Sequence, residues 1–247
     1  MPTAAVIIIG NEILSGRTRD KNLPFLGRRL ADLGIQLQET RVIPDLEKSI
    51  IATIREFTER FDYIFTTGGI GPTHDDITTA SVAAAFETVV ERNPEAVKIL
   101  EEYYDAGSLN DARLKMANIP AGARLIYNPV SAAPGFQLHN VFVLPGVPLI
   151  MQAMFEGIID RLTSGESILM KSITTNLRES TIAEGLGYIQ ERFNNVSIGS
   201  YPFFRRGRLG VNVVLRSTNG DMLRQATEQV AMLITELGGR QYNTSDE

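Results

Sequence analysis

The run Thr66-Thr67-Gly68-Gly69-Ile70-Gly71-Pro72-Thr73-His74-Asp75-Asp76 is the densest set of chemistry-bearing residues in the chain. Three glycines in four residues let the backbone take left-handed dihedrals and approach a ligand closely. Successive amide N–H groups in such a run can cup an anion, and the start of a following helix adds to the attraction. The run has no Gly-Lys-Ser/Thr of a nucleoside-triphosphate loop and no full Gly-x-Gly-x-x-Gly. A tight turn with Asp76 capping the next helix is the simpler alternative. Acidic groups beside an anion cup are reconciled by a divalent metal, because carboxylates and phosphate oxygens together hold Mg²⁺. Asp45, Asp75, Asp76 and Glu12 are the available oxygens. Singly, each is equally a helix cap or a solvated charge, Asp45 after Pro44 above all. His74 can contact a phosphate or donate a proton near neutral pH, or serve only as a hydrogen-bonded loop side chain.

These groups need a scaffold that brings them together. Residues 3–9 form a short apolar, β-branched run before Gly10, which suits a strand buried on both faces. Asp20 is placed to cap a helix over 21–33, with Leu23, Leu26, Leu30 and Leu33 at helical spacing and Gly34 as its stop. Residues 35–43 alternate as a strand. A helix follows Pro44 and Asp45, with Ile50, Ile54 and Phe57 on one face. A third strand over 61–67 runs into the glycine segment, and a helix over 79–86 follows. That βαβαβα order predicts a parallel sheet covered on both sides. Ligands on such sheets sit beyond the carboxyl ends of the strands. Gly10-Asn11-Glu12, Asp45 and the glycine segment all fall there.

Residues 87–122 read as helical insertions, over 95–104 and 110–117. His139-Asn140 is a hairpin turn between strands at 136–138 and 141–144. Pro145-Gly146-Val147-Pro148 leads into a closing helix over 149–162, whose Met151, Met154, Phe155 and Ile158 read as core packing. Thr163-Ser164-Gly165-Glu166 is the expected boundary. It separates a first domain, 1–163, from a small α+β domain, 167–240, of β-α-β-β-α order. The last helix of that module, 221–237, can pack on its own sheet or across a dimer. Residues 241–247 are expected to fray. Arg205-Arg206-Gly207-Arg208-Leu209-Gly210 has a Gly-x-x-Gly spacing. An RNA clamp of that spacing needs flanking helices, whereas strands are expected here, so a solvated hairpin loop is the simpler reading.

Composition narrows the classes. The chain has 247 residues and no Cys, which excludes disulfides, thiolate catalysis, zinc ribbons and iron–sulfur sites. Two His, His74 and His139, exclude a multi-histidine metal cage in one chain. The longest apolar runs fall far short of the ~18 residues of a membrane helix, and no cation precedes Arg17. A cytoplasmic protein without membrane contact is expected. The net charge of −5 argues against bulk nucleic-acid binding.

The motifs together resemble a known family. Thr67-Gly68-Gly69-Ile70-Gly71-Pro72…Asp76-Ile77-Thr78 resembles the Gly-Gly-x-Gly…Asp-x-Thr signature of MoaB/Mog-type molybdopterin-binding domains. Gly10-Asn11-Glu12-Ile13-Leu14-Ser15-Gly16…Asp20…Asn22 is similar to the opening motif of the CinA (competence/damage-inducible protein) branch. So are Asn110…Ala117, Asn128-Pro129-Val130…Ala133-Pro134-Gly135-Phe136 and Leu144-Pro145-Gly146-Val147-Pro148…Met151. The segment from Asn195 to Pro202 is similar to a stretch C-terminal to this domain in CinA-like and FAD-synthase-like proteins.

The resemblance implies a three-layer α/β/α fold with a mostly parallel sheet and a small C-terminal α+β module. It implies a phosphorylated pterin or nucleotide at the glycine loop, with Gly10, Asn11, Glu12, Asn22, Thr67, Gly68, Gly69, Gly71, Pro72, Thr73, Pro145, Gly146, Val147 and Pro148 as binding residues. Asp45 and Asp76 match the two aspartates that matter in Mog-type adenylyltransferases. In the CinA branch the similar domain is a metal-dependent pyrophosphatase of ADP-ribose-like dinucleotides, and the FAD-synthase relative hydrolyses FAD similarly. Two departures stand out: Ile70 replaces a Thr common in Mog-type loops, and Ile150 stands where many CinA proteins carry Glu. Neither the amidase of full CinA nor the FAD-forming activity of FAD synthase is expected.

The leading expectation is hydrolysis of a nucleotide diphosphate linkage, with Asp45 and Asp76 catalytic and Asp45, Asp75 and Asp76 holding Mg, Mn or Co. Glu12 and Asn11 would contact the metal or a ribose. A molybdopterin adenylyltransferase and a non-catalytic pterin- or nucleotide-binding module are the alternatives. A homo-oligomer is expected.

Overall fold

A computed structural model describes residues 1–105, 107–205 and 207–242. The chain divides into two compact units, Met1–Gly165 and the residues from Glu166 onward.

In the first unit, β1 (Thr3–Ile9), the one-turn α1 (Asn11–Leu14), α2 (Asn22–Asp32), β2 (Gln36–Ile43), α3 (Glu47–Arg60), β3 (Tyr63–Thr67) and α4 (Thr78–Ala85) follow in order. Then come β4 (Val90–Arg92), α5 (Pro94–Tyr103), α6 (Asp111–Leu114), β5 (Asn118–Pro120), β6 (Arg124–Asn128), β7 (Ala132–Leu138), β8 (Val141–Leu144) and α7 (Pro148–Glu156). Six strands form one sheet in the order β2-β1-β3-β8-β7-β6. β2, β1, β3 and β8 run parallel, while β7 is antiparallel to both of its neighbours.

β1 shows why the sheet has three layers. Ala5, Ile7 and Ile9 join one core with Ile50, Ile54 and Phe57 of α3 and Val82 of α4. Ala4, Val6 and Ile8 join a second core with Leu26 and Leu30 of α2 and Met151, Met154 and Phe155 of α7. Side chains of period two therefore find helices on both faces. Each fully buried Ile or Phe stabilises by about 1.5–3 kcal/mol. Asp20 accepts the Leu23 N–H at 2.8 Å and closes the first turn of α2, as expected of a cap.

Several elements differ from the sequence reading. The expected helix over 110–117 is one turn of α6 and then a 3-10 turn, Lys115–Ala117. β4 and β5 pair in a separate two-stranded ribbon inside the stretch read as helical insertion. All three β4 residues are exposed, so no alternation betrays them. The closing helix stops at Glu156, because Gly157 ends it before a 3-10 turn, Ile159–Arg161. His139 takes a left-handed φ of 51° in the β7–β8 hairpin, as a turn residue should.

Beside β2, Arg41 bonds Glu56 and Glu39, and Arg60 bonds the same two carboxylates at 2.6 and 2.7 Å. The Arg41 hydrogen bond lowers the Glu56 carboxyl from 4.5 to about 2. A lowered carboxyl pKa stabilises above the unfolded value and loses that stabilisation as pH falls through the folded one. Glu56→Gln should therefore lower the melting temperature at pH 6, with the difference from the native chain closing between about pH 4.5 and 2. Thermal melts across that range check it. The groups are half exposed, so the shift should shrink in high salt.

The second unit holds β9 (Leu169–Thr175), α8 (Glu179–Arg192), β10 (Ser197–Arg205), β11 (Arg208–Ser217), α9 (Gly220–Glu236) and β12 (Gln241–Tyr242). Its antiparallel sheet has the order β10-β11-β9-β12. Ile173, Val211, Val213 and Leu215 meet Ile182 and Leu186 of α8 and Leu223, Ala226, Val230 and Ile234 of α9. The amphipathic α9 thus packs on its own sheet. Gln241 and Tyr242, expected to fray, pair with Thr175 and Thr174. The rest of that expectation, 243–247, lies outside the described residues. Strands flank the Gly207–Gly210 spacing, so the helix-flanked RNA clamp geometry is absent among the described residues; Arg206 lies outside them.

Among the described residues no helix is long and apolar enough to cross a membrane.

Candidate functional site

Neighbouring register places four loops at one margin of the sheet. Ile43 pairs with Ile9, Ile8 with Thr67, and Thr67 with Leu144. The segments just past these residues carry Asp45, Gly10-Asn11-Glu12, the glycine run and Pro145-Gly146-Val147-Pro148. All lie beyond the carboxyl ends of parallel strands.

Backbone contacts tie these loops together. The Gly10 N–H bonds Ile43 O at 3.2 Å, and the Gly68 N–H bonds Leu144 O at 3.1 Å. A Cβ on Gly146 would lie 3.5 Å from Gly68 Cα, so the two loops touch by their backbones. Asn22, 3% exposed, donates from Nδ2 to Gly146 O at 2.8 Å.

Asp45 does not cap α3. Its Oδ2 accepts the Asn11 N–H at 2.8 Å and joins the loop after β2 to the loop after β1. Asp76 does not cap α4 either, so the cap expected of it in the simpler reading is absent. Its Oδ2 accepts the Thr73 N–H at 2.8 Å and also the Thr73 hydroxyl. The same hydroxyl lies 2.5 Å from Asp75 Oδ1. Two carboxylates thus converge on one hydroxyl that has one proton to give. The Thr73 hydrogen bond holds the Asp75 carboxyl below its ordinary range.

The glycine run is built by necessity at two positions. Gly68 has φ 103° and Gly69 φ 68°. A Cβ at Gly68 would collide with Ile9 O, and one at Gly69 with Thr78 Oγ1. Thr78 locks the turn by donating its N–H to Gly69 O and its hydroxyl to Gly68 O, both at 3.0 Å. The Gly68 N–H, bonded to Leu144 O, is spent inside the fold and leaves the expected anion cup. The amides of Gly69, Ile70 and Gly71 have no acceptor among the described residues. At Gly71 the absent side chain makes room for a carboxylate, since a Cβ would stand 2.7 Å from Asp76 Oδ2. Gly10 does the same for Glu12, at 2.5 Å from Oε1.

No group of three His, Asp or Glu able to hold a metal occurs among the described residues. The expected set of Asp45, Asp75 and Asp76 is thus divided: Asp75 and Asp76 converge at Thr73, while Asp45 is turned to Asn11. Asn22 Oδ1 is buried with no partner among the described residues. Being an acceptor, it suits a ligand hydroxyl, an amine or a cation. Ile150 packs against the second core and brings no carboxylate to the margin.

Other motif residues turn out to be architectural. Asn128 accepts the N–H groups of Val130 and Ser131 and donates to Ala133 O, which shapes the β6–β7 turn. Gly135 lets β7 pass close to Val143 O of β8. Sequence reasoning missed Lys115 and Asn118. With Gly71, Asp76 and Pro134 they line a cavity of about 80 Å³ beside the glycine run. A lone lysine in an apparent helix carries no signal that it reaches a loop 42 residues away.

Residues 5–164 match the family model described as probable molybdopterin binding domain. The chain belongs to that family. The molybdopterin-binding domain is followed by residues 167–238, which match the model of the FAD synthase middle domain. A crystal structure of the protein CinA from Thermoplasma acidophilum, a protein of unknown function, is similar with a TM-score of 0.60 at 36% identity. The match covers 64% of this chain and 98% of that one. A Pyrobaculum calidifontis protein is 39% identical over 66% of this chain and 64% of its own length. A protein named probable FAD synthase from Caenorhabditis briggsae is 31% identical over 95% of this chain and 49% of its own length. These matches cover less than two thirds of either relative's own length. The MoaB/Mog-like and CinA-like motifs are borne out as marks of the molybdopterin-binding domain, and so is its mostly parallel α/β sheet.

Proposed function

We propose that the first unit hydrolyses the diphosphate linkage of a nucleotide of the FAD or ADP-ribose class, with a divalent metal. The observation that carries this reading is one juxtaposition. Three unpartnered amides, at Gly69, Ile70 and Gly71, stand beside two carboxylates that converge on Thr73. Amides alone serve any anion; paired carboxylates beside them call for a cation and a phosphate together. Similarity to a probable FAD synthase and to the FAD synthase middle domain supports a flavin or adenine dinucleotide as the substrate class.

The amides of Gly69, Ile70 and Gly71 donate to oxygens of one phosphate. Asp75 and Asp76 are the residues whose remaining oxygens would hold Mg, Mn or Co together with the ligand's phosphate. Such an ion, when bound, supplies neutralisation of phosphate charge. Asp45 holds the Asn11 amide with Oδ2, and its Oδ1 is left to orient water and take its proton. The water oxygen bonds to one phosphorus while the bridging P–O bond breaks. Two phosphate monoesters leave, one of them AMP. Asn22 Oδ1 accepts a ligand hydroxyl.

The test is release of AMP from FAD, ADP-ribose or NAD with Mg²⁺, Mn²⁺ or Co²⁺. No AMP with any pair would remove the reading. The lack of a carboxylate at Ile150, which packs against the second core, favours the second reading, a pterin- or nucleotide-binding module without turnover. Saturable binding of FAD or molybdopterin with no product would establish it.

A further inference from the structure

The segment Pro72-Thr73-His74-Asp75 is exposed and belongs to no helix or strand, yet it carries one carboxylate of the converging pair and leads into the other. Within the segment, the ties are those of Thr73 to Asp75 and Asp76. The tie from outside comes from Lys115. Its half-buried ammonium donates to Thr73 O and, at 3.1 Å, to Asp76 O. Those two carbonyls bracket His74 and Asp75. An ammonium is a compact charge with three donors and can satisfy both carbonyls at once. Lys115 itself is fixed, because the 3-10 turn that carries it runs into β5, and β5 is paired with β4. Gly71, Asp76 and Lys115 share the wall of the same cavity.

We propose that Lys115 is a positioning residue that pins the Thr73–Asp76 loop, so that both aspartates stand preset beside the free amides of the glycine run. The pinning stands on the two hydrogen bonds; its weight for metal and substrate rests on the diphosphate reading above. Lys115 takes no part in bond making. It acts through the backbone of the residues that do.

The test uses the full chain, with Lys115→Met, Lys115→Gln and Lys115→Arg, and two readouts that need no turnover. The first is hydrogen exchange of the amides at 73–77. The second is Mn²⁺ affinity by titration, with and without ADP-ribose. Lys115→Met should speed exchange in that segment alone and weaken Mn²⁺ binding about 10–100-fold, as loss of an outer-shell partner typically does. Lys115→Arg should restore most of both, and Lys115→Gln less. Where turnover is measurable, the half-saturating metal concentration should rise far more than kcat falls. Exchange at 73–77 unchanged in both Met and Gln variants would overturn the proposal. So would faster exchange spread through β1 and β3, which would mark a general loss of stability. Faster exchange confined to the loop in a chain that binds no Mn²⁺ would support the pinning and remove the metal reading instead.

Discussion

Gly68→Ala should lower the melting transition of the first unit by about 10 °C, whereas Gly146→Ala, one loop away, should shift it by less than about 2 °C. The backbone at Gly68 stands at φ 103°, outside what a side chain tolerates, and a Cβ there meets Ile9 O. That oxygen belongs to a buried central strand, so it cannot step aside. Left-handed strain of about 1–2 kcal/mol and overpacking of about 1–3 kcal/mol add to about 2–5 kcal/mol. In a unit of this size each kcal/mol is worth about 2–4 °C. At Gly146 the new Cβ would find Gly68 Cα at 3.5 Å, an ordinary contact. Calorimetry on the two variants decides the matter. Equal shifts would show that the glycine run is not held as the register of β1 and β3 requires.

On the diphosphate reading proposed above, Asp76→Asn should reduce metal-dependent release of AMP about a hundredfold or more, equivalent to ~3 kcal/mol of transition-state stabilisation. The amide keeps the shape of the carboxylate, and its carbonyl can still accept the Thr73 N–H that Asp76 Oδ2 takes at 2.8 Å. The loop should hold, so the melting temperature should stay within about 2 °C. What is lost is one negative charge from the pair that converges on Thr73. Asp45→Asn is the companion measurement. It also preserves a bond, the one from the Asn11 amide, and removes the group assigned to the water's proton. If Asp76→Asn left turnover intact while the glycine-run amides still bound ligand, the metal would have to sit elsewhere.

The parts of this molecule that are legible in its sequence are those governed by local rules. β1 announces itself because both of its faces are buried, leaving an unbroken apolar run. α2 and α3 show their buried stripes at helical spacing. The glycine run is readable because few other residues can take the dihedrals at 68 and 69. The illegible parts depend on partners far away in the chain. β4 and β5 are three residues each and exist through their pairing, with Pro120 opposite Val90. Asp45 looks like a helix cap until Asn11 is brought to it across two strand ends. Asp75 and Asp76 stand out in the sequence as a pair, but their separation from Asp45 is a matter of side-chain direction, which spacing does not encode. Lys115 is the clearest loss, since its role lies in two backbone carbonyls of another loop.

The six-stranded sheet ends on one side at β2, whose outer flank has no partner strand within the described residues. An unpaired flank is a template on which a second chain can add itself and begin to aggregate. Here the flank is guarded: Glu39 and Arg41 sit on it, each already bonded to a charge of α3. A strand arriving from another molecule would have to strip water from, or displace, that charged lattice before its own amides could pair. Removing both charges should therefore lower the melting temperature and also make the still-folded chain cloud below it, a solubility phenotype with no active-site cause.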